Sequence, residues 1–415
     1  MQRSFWTRKE SQPSPVTDSS SLLQFCTRSL RAVVSSLELL RRALRAQLAA
    51  LKTSRHRFEV ASGQMRVLMI SSNGSGLGHL TRLWSVEQFL DAEVFTYTLS
   101  RAYGRLGKSP DQIMYFPSYS DTGLHPRLWS YLLQLHLHAV VRQFQPDVIL
   151  FDGTFVYRGL RAVVEASPAK FIWMQRGCWK KDIDRKTRQR YNASEFADAL
   201  IVPGDYGCQE NLDFGPIRTF RTNPIVFAPE EGRRPRQEAR RLLNLDVDKK
   251  YCLIQLGGGV INDITGLRDH AIAVVENLPG GWIPVVVQNP LSKTAPPKGV
   301  QSISAYPLSS FYAAFDMAIL AAGYNTVQEC VEYQLPSVLV PNLSTTTDDQ
   351  LRRARALGER GGAKFGCDEA TVAEAIGELA VDEERSKMLK TLKEMRVANG
   401  SVAAADAVRI VYEGL

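Results

Sequence analysis

Twice along this chain a short apolar run gives way at once to a cluster of glycines, first in RVLMISSNGSGLGH (66–79) and again in YCLIQLGGG (251–259). A continuous apolar run of this length describes a strand buried on both faces of a parallel sheet. Glycines directly behind it strip away the side chains that keep a ligand off the backbone, and helix N-terminal amides favour phosphate or developing negative charge. A tight chain reversal alone also uses glycine, so ligand loop and simple turn both stay open for the first junction. The spacing Gly74-x-Gly76-x-Gly78 is not the G-x-G-x-x-G dinucleotide fingerprint, and no Gly-Lys-Ser/Thr follows it. Nicotinamide enzymes and P-loop NTPases are therefore disfavoured.

Around these junctions strand-like and helical patterns alternate. Apolar runs fall at 66–71, 93–98, 112–117, 147–151, 170–174 and 199–202, with helical stretches such as 80–90, 127–144 and 185–196 between several of them. A Pro- and charge-rich break, TNPIVFAPEEGRRPRQ (222–237), precedes a restart with runs at 251–256, 283–287, 300–304, 316–321 and 337–341. The alternation predicts an α/β protein of two doubly wound, Rossmann-like domains facing a cleft, with ligands at the carboxyl ends of the strands. The expected division is a basic helical extension (1–64), a first domain (65–225), a second (226–395) and a C-terminal helix (396–415).

The net charge of +8 is unevenly placed, since residues 1–64 carry 11 Lys/Arg against 4 Asp/Glu. The body is nearly neutral, which argues against nucleic acid as a partner. Within the extension Leu23, Leu30, Leu37, Leu44 and Leu51 recur every seven residues with arginines between them. Three readings of 21–52 stay open: self-association as a coiled coil, an amphipathic helix on an anionic membrane surface, or a helix packed on its own domain. No run reaches the ~18 apolar residues of a membrane span. The six cysteines show no C-x-x-C or Cys/His clustering, and the MQRSFWTRKE start lacks an apolar core and cleavage site. A cytoplasmic location is expected, with the inner face of a membrane as a candidate site of peripheral binding.

The densest set of motifs lies in AAGYNTVQECVEYQLPSVLVPNLSTTTDDQLRRARA (321–356). Gly323 ends a strand-like run, and the amides of the turn Gly323-Tyr-Asn325-Thr326, with the Thr326 hydroxyl, can receive a diphosphate. Glu329, one turn on, is spaced to accept both hydroxyls of a ribose, a solvated helix carboxylate being the plain alternative. Asp349 and Gln350, on a separate loop, would accept from and donate to sugar hydroxyls.

Together these residues resemble the donor-binding half of GT-B glycosyltransferases of family 28. In that family a small-Gly turn, a helical Thr-x-x-Glu, a turn like Leu335-Pro336 and a loop ending in Asp-x-Gln follow one another. The resemblance extends to NGSGLGHLTR (73–82), and it implies a glycine loop whose following histidine, His79, faces the donor across the cleft. His79 would then act as general base on an acceptor hydroxyl or stabilise charge near the diphosphate. Gly76, Gly78, Gly257, Gly258, Gly259 and Asn325 would lie against the donor. One departure bears on donor and acceptor: where the family has Gly-Gly-Ser-Gln-Gly, this chain has Gly257-Gly258-Gly259-Val260-Ile261.

Asp152, at the end of PDVILFD, stands where a parallel strand delivers residues to the cleft, as a second catalytic group or a helix cap. Arg176, after FIWMQ, would pair with a phosphate or an acceptor carboxylate, or form a surface salt bridge. Asp182-Ile-Asp184 and Asp246-Val-Asp248 match the Asp-x-Asp of metal-dependent glycosyltransferases, but lie among basic residues and before a strand. They read as surface pairs, so no metal and no cofactor beyond a UDP-sugar substrate is expected. His125, His136 and His138 read as packing or acceptor-side residues. The expected function is inverting, metal-independent transfer from a UDP-sugar, UDP-GlcNAc among the candidates, to a lipid-linked or small-molecule acceptor. A UDP-sugar hydrolase or 2-epimerase on the same scaffold, and a non-catalytic membrane or oligomer scaffold, are the alternatives.

Overall fold

The computed structural model describes residues 63–72, 77–105, 109, 111–176, 178–180, 182–183, 187–208, 212–228, 232–257, 265–288 and 297–415. The basic extension with its leucine heptad, Gly76, Gly258, Gly259 and Asp184 lie outside them. Two parallel sheets form the protein. The first contains β1 (Arg66–Ser71), β2 (Glu93–Thr98), β3 (Ile113–Tyr115), β4 (Val148–Asp152), β5 (Lys170–Met174), β6 (Ala199–Pro203) and β7 (Arg218–Thr222), in the order β3-β2-β1-β4-β5-β6-β7. The second contains β8 (Lys250–Gln255), β9 (Trp282–Val287), β10 (Gln301–Ile303), β11 (Met317–Ala321), β12 (Ser337–Val340) and β13 (Lys364–Phe365), ordered β10-β9-β8-β11-β12-β13. Strand order reverses between β1 and β4 and between β8 and β11, and in such sheets the crevice beyond these switch points receives ligands.

Helices cover the sheets, among them α1 (Gly78–Glu87), α2 (Pro126–Phe144), α3 (Arg158–Glu165), α4 (Tyr324–Tyr333), α5 (Gln350–Glu359) and α6 (Ser401–Glu413). The continuous apolar run of β1 follows from burial on both faces. Leu68 and Ile70 pack with Leu133 and Leu137 of α2 and Leu160 of α3, while Val67 and Met69 pack with Leu83 and Val86 of α1 and Val408 of α6. Thus α6 returns to the first sheet, although it follows the second domain in sequence. Its entry is tight: Gly400 N–H donates to the Pro224 carbonyl at 2.9 Å, and the Asn399 side chain bonds both the N–H and carbonyl of Val226, at 3.3 and 2.6 Å.

Two expectations need correction. Residues 188–196 form turns and a single 3-10 turn at Ala193–Glu195, not a helix, and there the Arg190 guanidinium lies over the Trp179 ring. Strand β7, RTFRT, escaped notice because only one of its five residues is apolar; it is an edge strand with no fully buried position.

A Cβ on Gly400 would stand 2.0 Å from the Asn223 carbonyl oxygen, which is backbone and unable to swing aside. Gly400→Ala should therefore destabilise the protein by roughly 1–3 kcal/mol. Exposed Gly377, inside a helix with open space around its would-be Cβ, provides the control: Gly377→Ala should leave stability unchanged or raise it by about 0.5–1 kcal/mol. Denaturant unfolding of both variants checks the pair.

Candidate active site

At the first switch point β4 ends on Asp152 and α1 begins beside it. The carboxylate is almost wholly buried, and its Oδ1 accepts a hydrogen bond from His79 Nδ1 at 2.8 Å. Arg82, one helical turn after His79, closes on the same carboxylate with both arms, Nε to Oδ2 at 2.8 Å and Nη2 to Oδ1 at 2.6 Å. Arg82 Nη2 also lies 3.1 Å from His79 Nδ1, but both atoms are donors here and the carboxylate takes both. The network thus assigns the imidazole proton to Nδ1. Nε2 has no partner among the described residues, and the side chain keeps 14% of its surface exposed.

Burial is the largest influence on His79 and lowers its pKa below the ordinary 6.5; Asp152 opposes this, while Arg82 and Arg176 add to it. The ring is therefore neutral at pH 7 and able to accept a proton at Nε2. Burial works against ionising Asp152, but Arg82 and then His79 outweigh it and hold the carboxyl below its usual range.

The second switch point delivers Gly323 and α4. Gly323 is the N-cap in an extended conformation, and no side chain caps the first turn. The free first-turn amides of such a helix start are able to receive an anion. Asn325, in that turn, reaches across to the first domain: its Nδ2 donates to the Gly78 carbonyl at 3.2 Å and its Oδ1 accepts from Arg82 Nη1 at 3.1 Å. The starts of α1 and α4 therefore face each other at the base of the cleft. Gly257, two residues after β8, has φ +90°, a conformation that favours glycine, and lies beside Ala321 at the end of β11. Thr326 is half-buried in the first turn of α4. Glu329, further along α4, is also half-buried among tyrosines, and Tyr312 Oη donates to its Oε2 at 3.4 Å. Burial, against the smaller pull of the Tyr312 hydrogen bond, pushes the Glu329 carboxyl up to about 7.

Other candidates are held elsewhere. Asp349 is the N-cap of α5, accepting from Arg352 N–H at 3.1 Å, and Gln350 Oε1 accepts from Asn342 N–H at 3.0 Å. Arg176 pairs with Asp348 at 3.7 Å, so it joins the domains and does not stand free for a ligand. Asp182 lies in a short helical turn after β5, and Asp246 accepts from Asp248 N–H at 3.0 Å in the turn before β8. No group of three or more His, Cys, Asp and Glu able to hold a metal occurs among the described residues. His125 accepts from Arg127 N–H at 3.3 Å at the start of α2; His136 packs on Tyr97 with burial holding its pKa down to about 4. The sequence reading overlooked Arg82. Its signal was the i, i+3 spacing from His79, which places both side chains on one helix face.

Residues 293–409 match the glycosyltransferase family 28 C-terminal domain. The UDP-N-acetylglucosamine--N-acetylmuramyl-(pentapeptide) pyrophosphoryl-undecaprenol N-acetylglucosamine transferase of Symbiobacterium thermophilum is 26% identical over 285 residues, 65% of this chain and 71% of that protein. Its counterpart from Desulforudis audaxviator is 26% identical over 303 residues, 67% of this chain and 76% of the other. Among solved structures, Acinetobacter baumannii MurG superposes with a TM-score of 0.55 at 14% identity, covering 83% of this chain and 99% of that one. The spinosyn forosaminyltransferase SpnP gives 0.60 at 14% identity, covering 85% and 100%. These likenesses establish the two-domain GT-B fold.

Because the Glu329 pKa is raised on folding, from 4.5 to about 7, the folded state binds its proton more tightly than the unfolded state does. The stability this gives is present below pH 4.5 and is lost as pH rises through about 7. Glu329→Gln should therefore raise the melting temperature at pH 8, by the equivalent of about 1–3 kcal/mol, and leave it little changed at pH 4. Thermal unfolding across that pH range checks it.

Proposed function

We propose that this chain, a GT-B glycosyltransferase resembling family 28, moves N-acetylglucosamine from its UDP-sugar donor to a hydroxyl of a lipid-linked acceptor, with inversion and without a metal. What carries the reading is the 2.8 Å bond from His79 to Asp152 directly across from the uncapped start of α4. His79 Nε2 takes the proton of the acceptor hydroxyl as that oxygen attacks the anomeric carbon. The bond from that carbon to the diphosphate oxygen breaks, and its electron pair leaves with UDP. One displacement inverts the centre. The α4 amides and helix dipole meet the charge that develops on the leaving diphosphate, with Thr326 beside them. Asp152 stabilises the imidazolium as it forms, and Glu329, ionised above pH 7, accepts the ribose hydroxyls. Asp349 and Gln350 stand on the loop that would meet the sugar. The proposed N-acetylglucosamine and lipid-linked acceptor rest on the names of the relatives.

We assign the membrane side of this chemistry to the basic segment 1–64, since no helix of the described residues is long and apolar enough to cross a membrane. The full chain should sediment with anionic liposomes, and binding should weaken as salt shortens electrostatic reach to about 10 Å at 0.1 M. Deleting 1–64 should abolish it. Conversion of a dimer to a monomer by that deletion, without liposome binding beforehand, would identify the segment as a coiled coil instead.

Incubation with radiolabelled UDP-GlcNAc and a polyprenyl-diphosphate-linked muramyl acceptor tests the reaction, with UDP release that depends on the acceptor as the expected result. Equal release without acceptor would mark a hydrolase. His79→Ala should lower turnover by roughly 10²–10⁴ with donor affinity little changed. Glu329→Ala should weaken UDP binding in calorimetry by up to a few kcal/mol.

A further inference from the structure

Arg82 makes more contacts than a helix residue needs for packing. It is 2% exposed, its fork grips both oxygens of Asp152, its remaining arm meets Asn325 Oδ1, and its guanidinium lies 4.8 Å over the Tyr324 ring. Asp152 and His79 belong to the first domain; Tyr324 and Asn325 open α4 in the second. A single planar cation thus touches the base pair on one edge and the diphosphate turn on another. Asn325 closes the loop by donating back to the Gly78 carbonyl, one residue before His79.

We infer that Arg82 is a positioning residue that makes the orientation of the His79–Asp152 pair depend on the first turn of α4 in the opposite domain. This rests on the reading of His79 as the base. The planar fork fixes the carboxylate plane, which aims Oδ1 at Nδ1; a lysine would supply the charge but not the plane. With α4 displaced, the Asn325 contact is lost and the fork is held from one side only. The base is then fully aligned only when the domain that holds the donor is in place.

The test reads His79 directly and needs no substrate. In the full-length protein, the imidazole is followed by NMR against pH, with His79→Gln assigning the signals among the six histidines. Charged groups face it from three elements: Arg82 on its own helix, Asp152 from β4, and Arg176 from the loop after β5. Arg82→Met removes one opposing cation and leaves Asp152 with His79 as its close cationic partner. The His79 midpoint should then rise by about one pH unit or more, with a smaller rise in Arg82→Lys. The hydrogen-bonded Nδ1–H resonance, sharp in the wild type, should broaden or vanish in Arg82→Met and in Asn325→Ala.

Asn325→Ala keeps every charge and decides the matter if Arg82→Met fails to fold. A wild-type midpoint in a folded Arg82→Met, or an undisturbed Nδ1–H signal in Asn325→Ala, overturns the inference. Failure of the transfer assay sinks the proposed reaction, yet leaves these NMR outcomes standing, so the two failures are distinguishable.

Discussion

The relative placement of the two domains depends on one buried cation. Arg353 has no exposed surface; its Nε donates to Asp205 of the first domain at 2.7 Å, and its two terminal nitrogens grip Asp348 at 3.1 and 2.8 Å. The same guanidinium donates to the Ala322 carbonyl at 3.2 Å, directly before the Gly323 turn. Arg176 approaches Asp348 from the other side, and it and Arg353 hold that carboxyl down to about 2 against burial. Two cations and two carboxylates thus balance in a buried seam. Removing one partner of such a set costs about 3–5 kcal/mol, because the others stay buried and uncompensated.

The seam matters because the proposed chemistry is divided between the domains. His79 and Asp152 stand at one switch point and the α4 amides at the other, and neither half is a site by itself. Among the described residues no strand is shared by the two sheets, and the geometry is fixed by side-chain contacts, by the backbone bridge between Trp179 and Asp348, and by the return of α6 onto the first sheet. Asn399, Gly400 and Gly204 bind the connecting residues 222–226 closely at that crossing. The linker is therefore packed, and the cleft opens from a defined base.

The site also opposes two environments. Burial disfavours charge at both His79 and Glu329, yet the consequences differ. At His79 a neighbouring carboxylate makes the imidazolium tolerable when it forms, as the proposed role of base requires. At Glu329 no cation among the described residues answers the carboxylate, and its ionised form costs stability.

What the sequence determined alone was the periodic part: which runs are strands, that they lie in two doubly wound units, and that glycines such as Gly257 and Gly323 follow strand ends at the crevice. Those signals are local, since burial on both faces needs an unbroken apolar run and a helix start needs a particular turn. Asp152 was legible because a strand end always points at the crevice. The tertiary structure decided the rest. Nothing in DDQLRRARA tells Arg353 from its arginine neighbours, and nothing in β7 announces a strand whose residues are mostly polar. Arg82, Asp348 and Arg176 acquired their roles from partners on other elements, up to 243 residues away for Arg82 and Asn325. Periodicity reports a residue's own environment, whereas a buried ion pair is set by which distant charge the fold carries to it.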